Sequence, residues 1–290
     1  MKYRLGLIYL TLAVFLVLIP GAAVSAESRP IQPKGLFITP PRQYIDVAAG
    51  STTTGTFTVG NLNDSPMKVT FSVDQFSLAN YTYDYKFSAP KEDWVKISQT
   101  QLDLPPKTSK KVTYSILTPA NASPGGHYFS IFASTTPIEG KQVRTGLVLY
   151  ATVKGKLEKT SQIISDKLPS IIFGQSIPLQ MDIKNTGNSH FFIYASGTLS
   201  GWFSDRKGSE VANLLLPQTI RSVNTTLPAP VIPGIYKATY GYRDEDGHYT
   251  TKQKYIAYAP IWSFAVFAAI LWLIIILLRR KRRLKKSTDS

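Results

Sequence analysis

The chain has no cysteine. That excludes disulfide staples, thiolate metal sites and a thiol nucleophile, so any exported part must hold together by core packing alone. Animal surface proteins built from sandwich domains usually carry disulfides, and their absence favours a bacterial or archaeal source. Histidine is scarce: His127, His190 and His248 are the whole set, far apart and in no HExxH or HxxxH pair. No GxSxG elbow, phosphate loop or dinucleotide fingerprint occurs. The sequence therefore names no catalytic residue, no metal ligand and no cofactor, and it reads as a non-enzyme. No stretch between residues 27 and 259 keeps a helical period either, which argues against a mixed fold.

What is present begins at the two ends. Lys2 and Arg4 precede an uncharged, mostly apolar run from Leu5 to Ile19. Pro20-Gly21 breaks it, and Val24-Ser25-Ala26 supplies small residues before a cleavage point. Residues 1–26 read as an export signal, with an uncleaved anchor as the alternative. At the other end, Ile261 to Leu278 is 18 residues without a charge, which as a helix would span about 27 Å, close to the hydrocarbon core of a bilayer. Trp262 suits its interface. Arg279, Arg280, Lys281, Arg282, Arg283, Lys285 and Lys286 follow directly and read as a stop-transfer cluster that stays inside. The expected layout is a transmembrane helix over 261–278, a basic cytoplasmic tail over 279–290, and an extracellular remainder on a single-pass membrane protein.

The formal charge of +15 is concentrated at those ends. Two charges belong to the signal and six to the residues after Leu278, leaving +7 on residues 27–260. That is too dilute for nucleic acid. It suits anionic partners such as a wall polymer or lipid headgroups.

The middle is written in strands. Thr56 to Val59, Val69 to Val73 and Val112 to Ile116 alternate, and Gly, Pro, Asn and Asp punctuate them. Three landmarks then recur in order. TGTFTVGNLNDSPMKVTFSV (54–73) parallels IPLQMDIKNTGNSHFFIYAS (177–196), each a strand, an Asn-centred turn and a strand. LDLPPKTSKKVTYSI (102–116) parallels LLLPQTIRSVNTTL (214–227). PGGHYFSIFA (124–133) parallels PGIYKATYGY (233–242). The expected fold is all-β: two tandem Ig-like sandwiches over 34–156 and 164–258, with a polar boundary near Lys156 to Asp166. Only Ala259 and Pro260 separate the last expected strand from the span, so the second domain should sit against the headgroups.

Three segments invite more. In SLANYTYDYKFS (77–88), an apparent insertion in the first domain, Tyr81, Tyr83, Tyr85 and Phe87 alternate. On one strand they would share a face. That face either packs under the Trp94–Ile97 strand or forms an exposed aromatic strip for a glycan or a partner strand. Asp244-Glu245-Asp246-Gly247 fits a hairpin turn better than a calcium loop, which needs a longer ligand series and a distal Glu. Pro124-Gly125-Gly126 reads as a bend entering a buried strand, or else as a binding loop.

Signal, two Ig-like domains, one span and a basic tail resemble the WxL-interacting proteins of Gram-positive bacteria. The likeness is carried by Pro40-Pro41, the turn Asn61 to Pro66, Leu102-x-Leu104-Pro105 and Pro124-Gly125-Gly126, and in the second domain by Asn185 to Asn188 and Pro233-Gly234-x-Tyr236. The resemblance implies a first domain that binds peptidoglycan and a second that binds another surface or host protein. It assigns no binding residue. The leading expectation is a non-enzymatic, membrane-anchored protein that binds cell-wall polymer or another surface protein. The alternative is a chaperone-like assembly factor that offers an exposed sheet edge to an exported client.

Overall fold

The computed structural model describes residues 35–136, 142–201 and 205–288. The export signal read over 1–26 lies outside the described residues. The first sandwich is built from β1 (Leu36–Thr39), β2 (Arg42–Val47), β3 (Thr52–Asn61), β4 (Met67–Leu78), β5 (Tyr85–Ser88), β6 (Val95–Ile97), β7 (Gln101–Leu104), β8 (Ser109–Leu117), β9 (Gly125–Thr135) and β10 (Arg144–Val153). One sheet has the order β1-β3-β8-β6. The other runs β2-β10-β9-β4-β5, with β7 also on β4. Pro40-Pro41 lies where the chain leaves the first sheet for the second; proline has no N–H with which to continue a ladder.

The second sandwich comprises β11 (Ser161–Lys167), β12 (Ile171–Ile172), β13 (Ser176–Asn185), β14 (Phe191–Ser200), β15 (Asp205–Lys207), β16 (Val211–Leu215), β17 (Ile220–Pro228), β18 (Gly234–Asp244) and β19 (Tyr249–Tyr258). Its sheets are β11-β13-β17 and β12-β19-β18-β14-β15, with β16 on β14. The topology repeats strand for strand, including one parallel pair in each half, β2 with β10 and β12 with β19. Among the described residues only β6 lacks a counterpart. The expected insertion at Ser77–Ser88 is therefore corrected: its strand β5 corresponds to β15, and β6, packed with Trp94, is the addition. The expected boundary also narrows, because β10 ends at Val153 and β11 already begins at Ser161.

Alternation builds both cores. Phe57 and Val59, then Val112, Tyr114 and Ile116, face Ile131, Ala133, Leu147 and Leu149 across the first sandwich. Ile177, Leu179, Met181 and Ile183 face Ile193, Ala195, Ala238 and Tyr240 in the second. Period-2 burial of this kind is what two packed sheets require. The repeat reaches single atoms at the Asn-centred turns. Asn61 donates from Nδ2 to the carbonyls of Ser65 (2.8 Å) and Leu104 (3.2 Å) and accepts from the N–H of Asn63. Asn185 donates to Ser189 (2.9 Å) and Leu215 (3.2 Å) and accepts from the N–H of Gly187. Both are buried. Each closes its own turn and ties it to the equivalent strand, β7 or β16, so the recurrent Asn is a structural clamp.

The acidic run Asp244–Gly247 is the β18–β19 hairpin turn. Gly247 sits at φ 90° and donates to the Asp244 carbonyl, while Asp244 Oδ1 accepts from the N–H of His248. Beyond β19, the helix α1 (Ile261–Thr288) starts after Ala259 and Pro260. It is long and apolar enough to cross a membrane, and none of its apolar window is buried by the rest of the chain. Its backbone continues past the apolar run, so the basic positions from Arg279 through Lys286 are helical.

Candidate functional site

The outer face of the sheet β2-β10-β9-β4-β5 is aromatic where an Ig-like sheet would ordinarily be polar. One register row carries a ring on every strand. Tyr44 pairs with Tyr150, Tyr150 with Tyr128, and Phe76 with Phe87. Gln75 opposite Phe129 then sets Tyr128 beside Phe76. Neighbouring ring centroids lie 4.8, 5.8, 5.6 and 6.3 Å apart along the row. Contacts of this length stabilise a sheet face beyond their buried area.

The second sandwich covers one side of this face. Phe76, Leu78 and Tyr150 form a small core with Leu214 and Leu216, with Phe192 packed alongside. His190 lies 5.4 Å from Tyr150 and 5.6 Å from Tyr128 between ring centroids, and the Tyr128 hydroxyl is 3.3 Å from its Nδ1, placed to donate to the neutral ring. Burial pulls the His190 pKa down to about 4, since a desolvated imidazole resists charging. Burial likewise pushes the Tyr128 and Tyr150 hydroxyls well above the usual phenol range.

The segment after β4 locks the two sandwiches together. Tyr81 donates its N–H to Ile220 at 2.7 Å and accepts from that of Ser222, forming a parallel bridge beside Arg221. Asn80 Oδ1 accepts from the N–H of Ile220. The Tyr83 hydroxyl accepts from the N–H of Leu216 at 2.7 Å and lies 3.1 Å from Thr219 Oγ1, under the Arg221 guanidinium. On the far side of the joint, Gly126 donates its N–H to the Asn188 carbonyl, and Asn188 Nδ2 reaches Pro124 and Lys156. Pro124-Gly125-Gly126 is thus neither of the two alternatives alone: it enters β9 and is also part of the joint.

The expected single face of four aromatic residues does not form. Tyr81 and Tyr83 have φ of 69° and 65°, the left-handed region, and the chain turns there. Ala79 accepts from Tyr83 and donates to Asp84, which closes the turn, so β5 begins only at Tyr85. Nor does the segment pack under Trp94–Ile97: Trp94 and Val95 belong to the core between the sheets, and none of the four rings joins it. Tyr81 and Tyr83 belong to the joint. Tyr85 and Phe87 remain outward, 42% and 40% exposed, with rings stacked 5.7 Å apart and nearly parallel.

Those two rings wall an open hollow of about 260 Å³ with Pro41, Arg42, Ser130, Phe132, Gly146 and Val148. The Phe132 ring lies across Gly146, where a Cβ would come within 2.8 Å of it. Arg144 caps the ring at 3.6 Å while bonded to Asp74 at 2.8 Å. A glycine inside a strand marks such a close approach, and Gly146 between alternating Arg144 and Val148 was the available sequence signal for this side of the hollow.

Beside the hollow, the edge of β10 extends beyond its partner β2. β2 covers β10 only from Val148 to Val153. Val148 donates its N–H to the Pro41 carbonyl on that side. Backbone polar groups alternate along a strand, so Gly146 and Arg144 direct theirs the same way. Among the described residues no strand pairs with them there. The three histidines lie apart: His127 against Trp94 and near Glu92, His190 in the joint, His248 on the exposed hairpin with Asp244. Among the described residues no group of three or more metal-ligating side chains occurs.

No family model and no curated protein matches the chain. Among solved structures it is similar to the class 5 fimbriae chaperone CfaA, at 12% identity over 78% of this chain and 100% of that one, with a TM-score of 0.41. It is also similar to the E. coli chaperone DraB, at 14% identity, 78% and 97% coverage and a TM-score of 0.37. The Pseudomonas aeruginosa CupB2 chaperone is similar at 12% identity, 73% and 97% coverage and a TM-score of 0.35. Scores of this size leave function and site residues to the chain's own geometry.

Proposed function

We propose that this chain is a single-pass membrane protein whose extracellular sandwiches bind an exported protein by adding one of its extended segments to the open edge of β10. The observation that carries this reading is the edge at Arg144 and Gly146, unpaired among the described residues and directly beside an aromatic hollow. Strand addition uses main-chain hydrogen bonds for affinity and pockets for alternate side chains for selectivity. Gly146 and Arg144 offer the first, and Phe87, Tyr85, Phe132 and Val148 the second. The joint supports it further, because the second sandwich holds one end of the sheet face rigid. Preorganisation of that kind lowers the ordering cost of binding. In this role the protein is a chaperone-like assembly factor or scaffold held at the cell surface by α1, its basic end inside.

A second reading keeps the wall polymer as ligand, as the likeness to WxL-interacting proteins implies. The parallel Tyr85 and Phe87 rings beside Arg42 would suit a sugar face with an anionic substituent. The test is binding of the purified full chain to exported proteins and, separately, to purified wall. Gly146→Pro removes the central edge donor and Phe87→Asp spoils the hollow. Loss of protein binding in both variants, with wall binding unchanged, supports strand addition. Loss of wall binding in Phe87→Asp alone supports the polymer. Protein binding that survives both substitutions refutes the proposed edge.

A further inference from the structure

The membrane-facing end of the second sandwich carries an apolar apron. Ile171, Ala257 and Ile235 stand opposite one another on β12, β19 and β18, on the outer face of that sheet. Tyr255 lies two residues back on the same face. Phe173 follows β12, and Val231-Ile232 form the β17–β18 connection, braced by the Tyr236 hydroxyl donating to the Ile232 carbonyl. Ile171, Phe173, Val231, Ile235 and Tyr255 are between 51% and 71% exposed. Scattered apolar side chains are ordinary on a surface, but a contiguous group is not. No acidic residue occurs in 168–175, 228–237 or 255–263.

This group sits where α1 leaves the domain. Ala259 donates its N–H to the Ile172 carbonyl, which pins the chain to β12 up to one residue before Pro260. Ser263 then donates to the Pro260 carbonyl through both its N–H and its hydroxyl, starting the helix. Two intervening residues reach at most about 7 Å. The Phe173 ring is 6.2 Å from that of Phe264, inside the helix. The apron is continuous with the span and held at the level of its first turn.

We infer that Ile171, Phe173, Val231, Ile232, Ile235 and Tyr255 form a membrane-docking surface that embeds the base of the second sandwich in the interfacial layer of the outer leaflet. The inference rests on the reading of α1 as a membrane anchor. A bilayer is the occupant because the span fixes it against this face, and because apolar groups without carboxylates are what an interfacial layer accepts. The ectodomain then does not swing on a stalk. Its orientation is set by a helix and a broad apolar foot together.

The absence of cysteine allows the test on the full chain. Single substitutions Val231→Cys, Ile235→Cys, Tyr249→Cys and Ile270→Cys are labelled with an environment-sensitive fluorophore and reconstituted in phosphatidylcholine vesicles containing a minor fraction of phosphatidylglycerol. A nitroxide on the lipid near the headgroup serves as quencher. Tyr249 is at the far end of β19, about 30 Å along the strand, and 70% exposed. The expected result is a blue-shifted emission and loss of most of the signal to quencher at 231 and 235, with a water-like, unquenched label at 249. The label at 270 reports the span itself, through a lipid-buried emission. Water-like labels at 231 and 235 with a buried label at 270 would overturn the docking surface while leaving the anchor standing. A water-like label at 270 would overturn the anchor and the docking surface with it.

Discussion

Replacing Asn185 with alanine removes three hydrogen bonds at one buried point: Nδ2 to Ser189 at 2.9 Å, Nδ2 to Leu215 at 3.2 Å and the Gly187 N–H to Oδ1 at 2.9 Å. Each such bond is worth about 1 kcal/mol net, and a stranded buried partner costs somewhat more, so the loss should be about 3–4 kcal/mol. The thermal shift depends on what unfolds together. A second sandwich melting alone should lose about 12–32 °C, because 1 kcal/mol moves a domain of its size by about 4–8 °C. Two sandwiches melting as one body should lose about 6–16 °C, because the same energy is spread over a larger unfolding entropy. Circular dichroism and scanning calorimetry of the full chain in nanodiscs measure both the shift and the number of transitions. Asn61→Ala, which removes the equivalent clamp, should have a comparable effect. Asn224→Ala, at an exposed position, should change stability by less than about 0.5 kcal/mol. If Asn185→Ala also moved stability by less than about 1 kcal/mol, the clamps would be interchangeable turn residues and the argument from their buried bonds would fail.

Three further outcomes are expected. Tyr83→Phe leaves the Leu216 N–H without its acceptor, so the joint should weaken by about 1–3 kcal/mol, seen as faster amide exchange in Asn80–Tyr83 and Ile220–Ser222; unchanged exchange would remove Tyr83 from the joint. His190 has a folded pKa lowered to about 4 against an ordinary 6.5. The unfolded chain therefore binds the extra proton between those values, and stability should be full above pH 6.5 and fall as pH drops toward 4; His190→Gln should flatten that part of the profile, and a profile unaltered by the substitution would refute the assignment. Gly125→Ala combines a φ of 129° with a Cβ placed 2.4 Å from the Asn188 carbonyl oxygen, so it should open the joint by more than the about 1 kcal/mol typical of a point substitution, measured as increased protease cleavage near Glu158; resistance equal to that of the native chain would refute it.

Much of the architecture was legible because it is local or periodic. Alternation marks strands, since side chains on a pleated strand face opposite ways. The repeat of Asn61 in Asn185 announced two copies of one plan, and an uncharged run against a basic cluster announced a helix able to span a membrane. The short joint at Ala259-Pro260 could be counted directly. Tertiary structure alone decided what the aromatic residues do. Tyr81, Tyr83, Tyr85 and Phe87 alternate as a strand would, but backbone bonds between Tyr81 and both Ile220 and Ser222, and the bond from the Leu216 N–H to the Tyr83 hydroxyl, all to residues well over a hundred positions away, hold the first two in a turn at the joint. Period-2 spacing carries no record of a partner that distant. The same holds for the edge at Gly146, left unpaired among the described residues, and for the apron around Ile235. Both depend on which strand stops short and on what stands beside it, and those are properties of pairing between segments remote in sequence.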